Sequence, residues 1–361
     1  MFPDDLIDQV RYNCDVSDAR FAGHYSICGL ALRLRDLFKW EKRLAPWEER
    51  EAAEVLEWIG VKEQHWEGLQ AKDFRSIHIE GRAYDPFDTR RINACLKDWD
   101  LYYDAGYAQG LKPTFVLGRV EAHRRHDGFT IVHLGDELAR DLLTLPAFSQ
   151  RDRIVLRKEA ARLFVWDHIF YITPSRRPYL AYALQHAGIP NADSVVLRKH
   201  FAALLEDLYD LFVRHEIGER RDTLFDDNAW RRMIAAFSHT PIELLLRAVK
   251  DALADTGPGG PLTPIIADCQ AVALGFYLVF HDGLVKQLFP ELRSAFAEFA
   301  STSQWSIMGD AVRTVHHKAG AQADRLQQLF AQGESRGDLE WAGEQIRQEF
   351  LAPVDSRPLS M

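Results

Sequence analysis

"SVVLRKHFAALLEDLYDLFVRHEIGE", Ser194–Glu219, decides the fold class. Leu204, Leu208, Leu211 and Phe212 recur at three- and four-residue steps, the period of one helical face. The same period returns in "YSICGLALRLRDLFKWEK" (25–42), through Ile27, Leu30, Leu34, Leu37 and Phe38. "PWEEREAAEVLEWIGVKEQHWEGL" (46–69) continues in kind, with Pro46 suited to a first turn and Gly60 as an expected interruption. "NAWRRMIAAF", "PIELLLRAVKDALADT", "MGDAVRTVHHKAGAQADRLQQLF" and "DLEWAGEQIRQEFL" complete the set. The chain therefore reads as mainly α, a multi-helical globular protein with a small antiparallel β-hairpin or sheet insertion.

The insertion begins near Phe74. "FRSIHIEG" (74–81) alternates, with Ile77 and Ile79 on one side. "PTFVLGRVEAHRRHDGFTIVHLG" (113–135) reads as two strands around Asp127–Gly128, a dipeptide that tolerates the positive φ of a tight hairpin. Asp88 is placed to cap a helix, and "LYYDAGYAQGLKP" (101–113) reads as a Tyr/Gly-rich loop. From Asp136 onward, "DELARDLLTL" and "RIVLRKEAARLFVWDHIFYI" return to a helical pattern. The expected organisation is an N-terminal helical segment (1–73), a small β-containing subdomain (74–135), a helical core domain (136–350) and a polar tail (351–361). "GPGGPLTP" (257–264) is the strongest break, between helices apolar enough to share one core.

Composition narrows the class. The 361 residues are 47% hydrophobic and 27% charged, enough for a sizeable core. A net charge of −9 and the lack of a basic stripe argue against nucleic-acid binding. The start, "MFPDDLIDQVRYN", carries no apolar run and reads as no signal peptide. The most apolar segment, "PIIADCQAVALGFYLVFHDG" (264–283), is interrupted by Asp268, Gln270 and His281 and falls short of the about 20 residues a bilayer requires. It reads as a buried central helix, so no membrane partner is expected. Four scattered cysteines, Cys14, Cys28, Cys95 and Cys269, suit reduced thiols and the cytoplasm. There is no phosphate-binding G-x-x-x-x-G-K-[ST], no G-x-G-x-x-G, no G-x-S-x-G and no C-x-x-C-H. P-loop hydrolysis, a Rossmann cofactor, a hydrolase triad and covalent haem are thereby disfavoured.

Several stretches, "VRYNCDVSDARFAGHYSICGLALRLRDLFKWE", "YDPFD", "HTPIELLLRAVKDALADT" and "LFPELR", resemble a family of uncharacterised bacterial proteins with no assigned function. The resemblance spans nearly the whole chain. It implies a bacterial, stand-alone protein and carries over no site residue.

Two clusters compete as sites. In "RYNCDVSDARFAGHYSICG" (11–29), Cys14 and Asp18 share one helical face, as do His24 and Cys28. A continuous helix would hold the two cysteines about 21 Å apart, too far for one ion. They read as small buried hydrophobes, with Asp18 capping or pairing a nearby Arg. The stronger cluster is "LFVRHEIGERRD". His215 continues the Leu204–Leu208–Leu211 stripe toward the core, Glu219 and Asp222 follow on the same face, and Glu216 lies beside them. A desolvated histidine among carboxylates serves as a metal ligand or as half of an acid–base pair. H-E-x-x-E is not the H-E-x-x-H of zinc proteases, and that mechanism does not transfer. His168, His281 and His316 also sit in apolar company. The metal-ligand set read from the sequence is His215, Glu216, Glu219 and His168, for a divalent metal. No Glu-x-x-His pair supports a di-iron site.

Two functions stay open at this point. One is a scaffold or regulatory protein that binds another protein through an apolar helix face or the "LYYDAGYAQGLKP" loop. The other is a helical metal- or cofactor-binding enzyme, with a small-molecule ligand, built on the cluster around His215. The sequence sets neither the oligomeric state nor whether the chain is an enzyme.

Overall fold

The computed structural model describes residues 2–150 and 152–352, and 65% of them are helical. The polar tail expected from 351 lies, from 353 onward, outside the described residues. The chain divides into two compact units, 1–167 and 168–361.

The N-terminal unit opens with α1 (Phe2–Phe21), α2 (Ile27–Glu41) and α3 (Ala52–Glu67), and Gly60 lies inside α3 without breaking it. A short hairpin, β1 (Ile77–Ile79) and β2 (Arg82–Tyr84), leads to α4 (Thr89–Leu96). Asp88 caps α4 by accepting from the Arg91 amide at 3.3 Å. A five-stranded sheet follows: β3 (Leu101–Tyr107), β4 (Pro113–His126), β5 (Phe129–Arg140), β6 (Ala147–Gln150) and β7 (Arg153–Arg157), in the order β3-β4-β5-β7-β6. The β4–β5 hairpin turns on Asp127 (φ 51°) and Gly128 (φ 90°), the paired left-handed residues of a two-residue turn. β5 and β7 run parallel and the other pairs antiparallel. Register shifts in β4 between Leu117 and Ala122 bend the sheet.

Three expectations are corrected here. "DELARDLLTL" and "RIVLR" are not helical: β5 continues to Arg140 and Arg153–Arg157 is β7, so strands extend past 135. Their alternation is hidden because both faces are buried and Glu137, Arg140 and Arg157 are charged core residues. Arg157 donates to both carboxylate oxygens of Glu137, at 2.7 and 2.8 Å. "LYYDAGYAQGLKP" is no free loop, since Leu101–Ala105 are buried in β3. Ile27, placed on the α2 core stripe, is 89% exposed, while Leu34, Leu37 and Phe38 are buried.

The core of this unit packs Leu6, Val10 and Cys14 of α1 against Ile92, Tyr103, Phe115 and Leu117. Successive strand residues face opposite ways, so Tyr102 turns from that core toward Val132, Leu134 and Val155. Asp18 is paired with a lysine rather than an arginine: buried Lys112 donates to it at 2.8 Å, and the Leu142 amide donates to the same carboxylate. Cys14 is buried and its thiol meets the Phe115 carbonyl, but Cys28 is exposed, contrary to expectation. All four cysteines are free.

Helix α5 (Lys158–Phe170) carries the chain past the unit boundary. The C-terminal unit then contains α6 (Arg177–His186), α7 (Ser194–Arg221), α8 (Asp227–Ala236), α9 (Pro241–Thr256) and α10 (Leu262–Ala267). After these come α11 (Ala271–Phe280), α12 (Gly283–Leu288), α13 (Glu291–Thr302), α14 (Trp305–Arg336) and α15 (Leu339–Ile346). The apolar segment 264–283 is thus two helices, broken where Cys269 takes φ 52°, and α11 is buried along most of its length. Among the described residues no helix is long and apolar enough to cross a membrane.

Helix α9 packs against both α7 and α14. "GPGGPLTP" is packed into the fold: Gly257, Gly259 and Gly260 are buried in the turn from α9 to α10. A Cβ at Gly218 or at Gly260 would collide with the Ala254 carbonyl. The backbones of α7 and α9 therefore meet closely beside Ala254, and this approach sets the geometry of the site.

Candidate functional site

Asp193 caps α7, accepting from the Val195 amide at 2.9 Å, and Leu204, Leu208 and Leu211 are buried as their phase requires. That phase carries His215 inward to a half-buried position, with its side chain 32% exposed. The helix continues through Gly218 because a glycine is the residue that lets α9 come close there. One turn beyond His215, Glu219 projects to the same side. From α9 come Asp251 and Asp255, four residues apart and so on one face.

The Nδ1 of His215 donates to Asp255 Oδ1 at 2.7 Å, and the Tyr277 hydroxyl of α11 donates to Asp255 Oδ2 at 2.9 Å. His215, Glu219 and Asp251 each offer one ligand atom, all within 4.8 Å of one another. Each is half-buried, so the group is held by the protein yet reachable from solvent. An ion about 2.0–2.2 Å from each atom is the size of object such a group accepts, with small inward movements of the side chains.

The electrostatics follow from crowding. Burial opposes a charge on His215, but the Asp255 carboxylate outweighs it and holds the imidazole proton well above the ordinary histidine range. Burial pushes the Asp251 carboxyl up to about 7; the His215 charge pulls it down, while Glu219 and Asp255 push it up. Burial and the Asp255 charge likewise raise the Tyr277 phenol, which stays a hydrogen-bond donor. Three carboxylates thus face one imidazole, an arrangement that holds either extra protons or a cation. With Asp255 on Nδ1, the lone pair of Nε2 is the one left for coordination.

Of the residues read from the sequence, His215 and Glu219 are in this group, and Glu216 and His168 are not. Glu216 is buried on α7 outside it. His168 lies edge-on to Phe280, with ring centroids 5.3 Å apart. Asp222 falls just past the end of α7 and accepts from the Leu224 amide instead. The hydroxyl of Thr256 and Nδ1 of His316 are hydrogen-bonded at 3.0 Å, and His281 is buried against Tyr277, its pKa pushed down to about 4 by burial. Asp251 and Asp255 were missed by sequence reasoning. A signal existed: Ala248 and Ala252 form a row of small residues that Asp255 continues, and a small-residue row marks where another helix comes close.

Fold and site together define a two-unit, mainly helical protein with a His/carboxylate cluster in its C-terminal unit. Residues 5–157 match the N-terminal domain, and residues 162–349 the C-terminal domain, of a family described as "Family of unknown function (DUF6866)". The chain belongs to this family. No curated protein and no solved structure matches it.

Proposed function

We propose that the C-terminal unit binds a divalent first-row transition cation through His215, Glu219 and Asp251, with Asp255 and Tyr277 orienting the imidazole from behind. The observation that carries this reading is the Asp255–His215 hydrogen bond, because a carboxylate on Nδ1 is the usual support of a metal-ligating histidine. One nitrogen and two carboxylates suit zinc or manganese, and three protein ligands at a half-buried position leave room for water or a substrate. Glu216 and His168 are left out of the ligand set. The resemblance to bacterial proteins and the four free cysteines support a bacterial, cytoplasmic setting.

The test is titration of chelator-treated protein with zinc and with manganese by isothermal calorimetry, beside the His215→Gln variant. The expected result is one saturable site that the variant removes while circular dichroism stays unchanged. Saturation of neither ion, or equal binding by the variant, would overturn the assignment.

A second reading, the protein-binding scaffold, draws on one observation. Ile27 and Leu32 of α2 and Leu56 and Val61 of α3 are exposed, at 89, 46, 66 and 64%. Loss of partner capture on Leu56→Glu with Val61→Glu, and not on His215→Gln, would favour the scaffold.

A further inference from the structure

A cavity of about 540 Å³ lies in the N-terminal unit, between α4 and residues of β3, β4, β6 and β7. Its volume falls in the range that small-molecule sites occupy, about 300–1,000 Å³. Arg90, Asn93 and Ala94 lie on one face of α4, and Lys97, just past its end, continues that face, so together they form one wall. Opposite it stand Tyr102 of β3, Val120 and His123 of β4, and Arg153 of β7.

The neutral polar groups at the base are committed to one another. Thr89 donates to Gln150 at 3.1 Å, Gln150 donates to Asp104 at 2.5 Å, and the Tyr102 hydroxyl donates to Asp104 at 3.3 Å. Asn93 is committed too, exchanging hydrogen bonds with the Tyr103 backbone at 2.7 and 2.9 Å. What remains for a ligand is cationic. Neither Arg90 nor Lys97 is in an ion pair among the described residues; Arg153 already faces the Tyr102 hydroxyl and the Asp104 carboxyl, and the three cations together outnumber the two acids of the lining, Asp100 and Asp152. The buried Asp104 beneath does not fully cancel them, because burial pushes its carboxyl up to about 7. A concave site whose fixed charge opposes the −9 of the whole chain is a site for an anion.

We propose that this cavity binds a small organic phosphate, its phosphoryl oxygens held by Arg90, Lys97 and Arg153 and its organic body set against Ala94, Leu101 and Val120. Guanidinium forks suit the several acceptor oxygens of a phosphate. The volume and the apolar wall exceed what inorganic phosphate alone would use. None of the metal ligands proposed above takes part, so the two assignments stand or fall separately.

The experiment is calorimetric titration of the full chain, at low ionic strength, with inorganic phosphate, ribose 5-phosphate and adenosine monophosphate, with neutral ribose and adenosine as controls. The expected result is saturation by an organic phosphate, tighter than inorganic phosphate, and none by the neutral controls. Lys97→Gln and Arg153→Gln should each weaken it about tenfold, since each removes a hydrogen bond to a charged group. Arg124→Gln, near the hairpin tip, and His215→Gln should leave it unchanged. Circular dichroism of each variant should match the parent protein. The proposal is overturned if no phosphate saturates at millimolar concentration, if ribose or adenosine binds as tightly as its phosphate, or if the Lys97 and Arg153 variants bind as the parent does.

Discussion

His215 and Asp255 are joined by a 2.7 Å hydrogen bond that crosses from α7 to α9, beside the point where Gly218 meets the carbonyl of Ala254. The bond fixes which imidazole nitrogen carries the proton, and the close approach fixes the distance between the two helices. Replacing Asp255 by Asn keeps the shape and removes the charge. The expected outcome is a zinc or manganese affinity lower by about 10–100-fold, the usual effect of losing such a support. Calorimetry on the variant checks this, and an unchanged affinity would make Asp255 incidental.

Metal affinity should depend on pH in one direction. His215 holds its proton above the ordinary range and Asp251 titrates near about 7, so in the ion-free protein both are protonated at mildly acidic pH. An ion must displace those protons, so affinity falls as pH drops through about 7 and rises above it. Titrations in buffers of different ionisation enthalpy should show proton release on binding. Proton uptake would contradict the ligand set.

Gly218→Ala tests the helix contact. The added methyl collides with the Ala254 carbonyl, so α7 and α9 must separate or distort. Overpacking of this kind costs about 1–3 kcal/mol, read as a lower denaturant midpoint. The same variant should lose metal binding, because His215 is carried away from Asp251 and Asp255. Gly60→Ala, where a Cβ meets nothing within 4 Å, is the control: it should raise the midpoint by the helix-propensity gain of up to about 1 kcal/mol and leave metal binding unchanged.

In the N-terminal unit Glu137 is fully buried between Arg157 and Arg140. Glu137→Gln leaves buried guanidinium charge uncompensated and should destabilise by about 3–5 kcal/mol in chemical denaturation. Burial opposes the Glu137 charge, but Arg157 and then Arg140 outweigh it and hold the carboxyl below the ordinary range. A carboxyl lowered on folding stabilises above the unfolded value of about 4.3, and that contribution is lost as pH falls further through the folded value. The parent protein should therefore weaken steeply below about pH 4, and Glu137→Gln should weaken less steeply.

The helices were legible in the sequence where a single apolar stripe met solvent on the other side, as in α7, whose Leu204–Leu208–Leu211 row pointed His215 inward. The start of β5 was legible through its Asp127–Gly128 turn, but its continuation past 135 and β7 were not, because Glu137, Arg140 and Arg157 neutralise one another inside the sheet and break the expected alternation. Asp18 was legible as a paired acid, but its partner Lys112 is 94 residues away and no local pattern reveals it. The site was half legible for a similar reason. Glu219 shares a helix face with His215, whereas Asp251 and Asp255 reach it only through tertiary packing at Gly218. His168 looked equivalent to His215 by its apolar context, and packing placed it against Phe280 instead.

The central claim, a cation held by His215, Glu219 and Asp251, is tested most directly by anomalous diffraction from crystals grown with zinc or manganese. The account predicts an anomalous peak bonded to Nε2 of His215 and to one carboxylate oxygen each of Glu219 and Asp251, with Nδ1 still donating to Asp255. A map with no peak at these three residues, or with the ion on Nδ1 and Asp255 turned away, would contradict it.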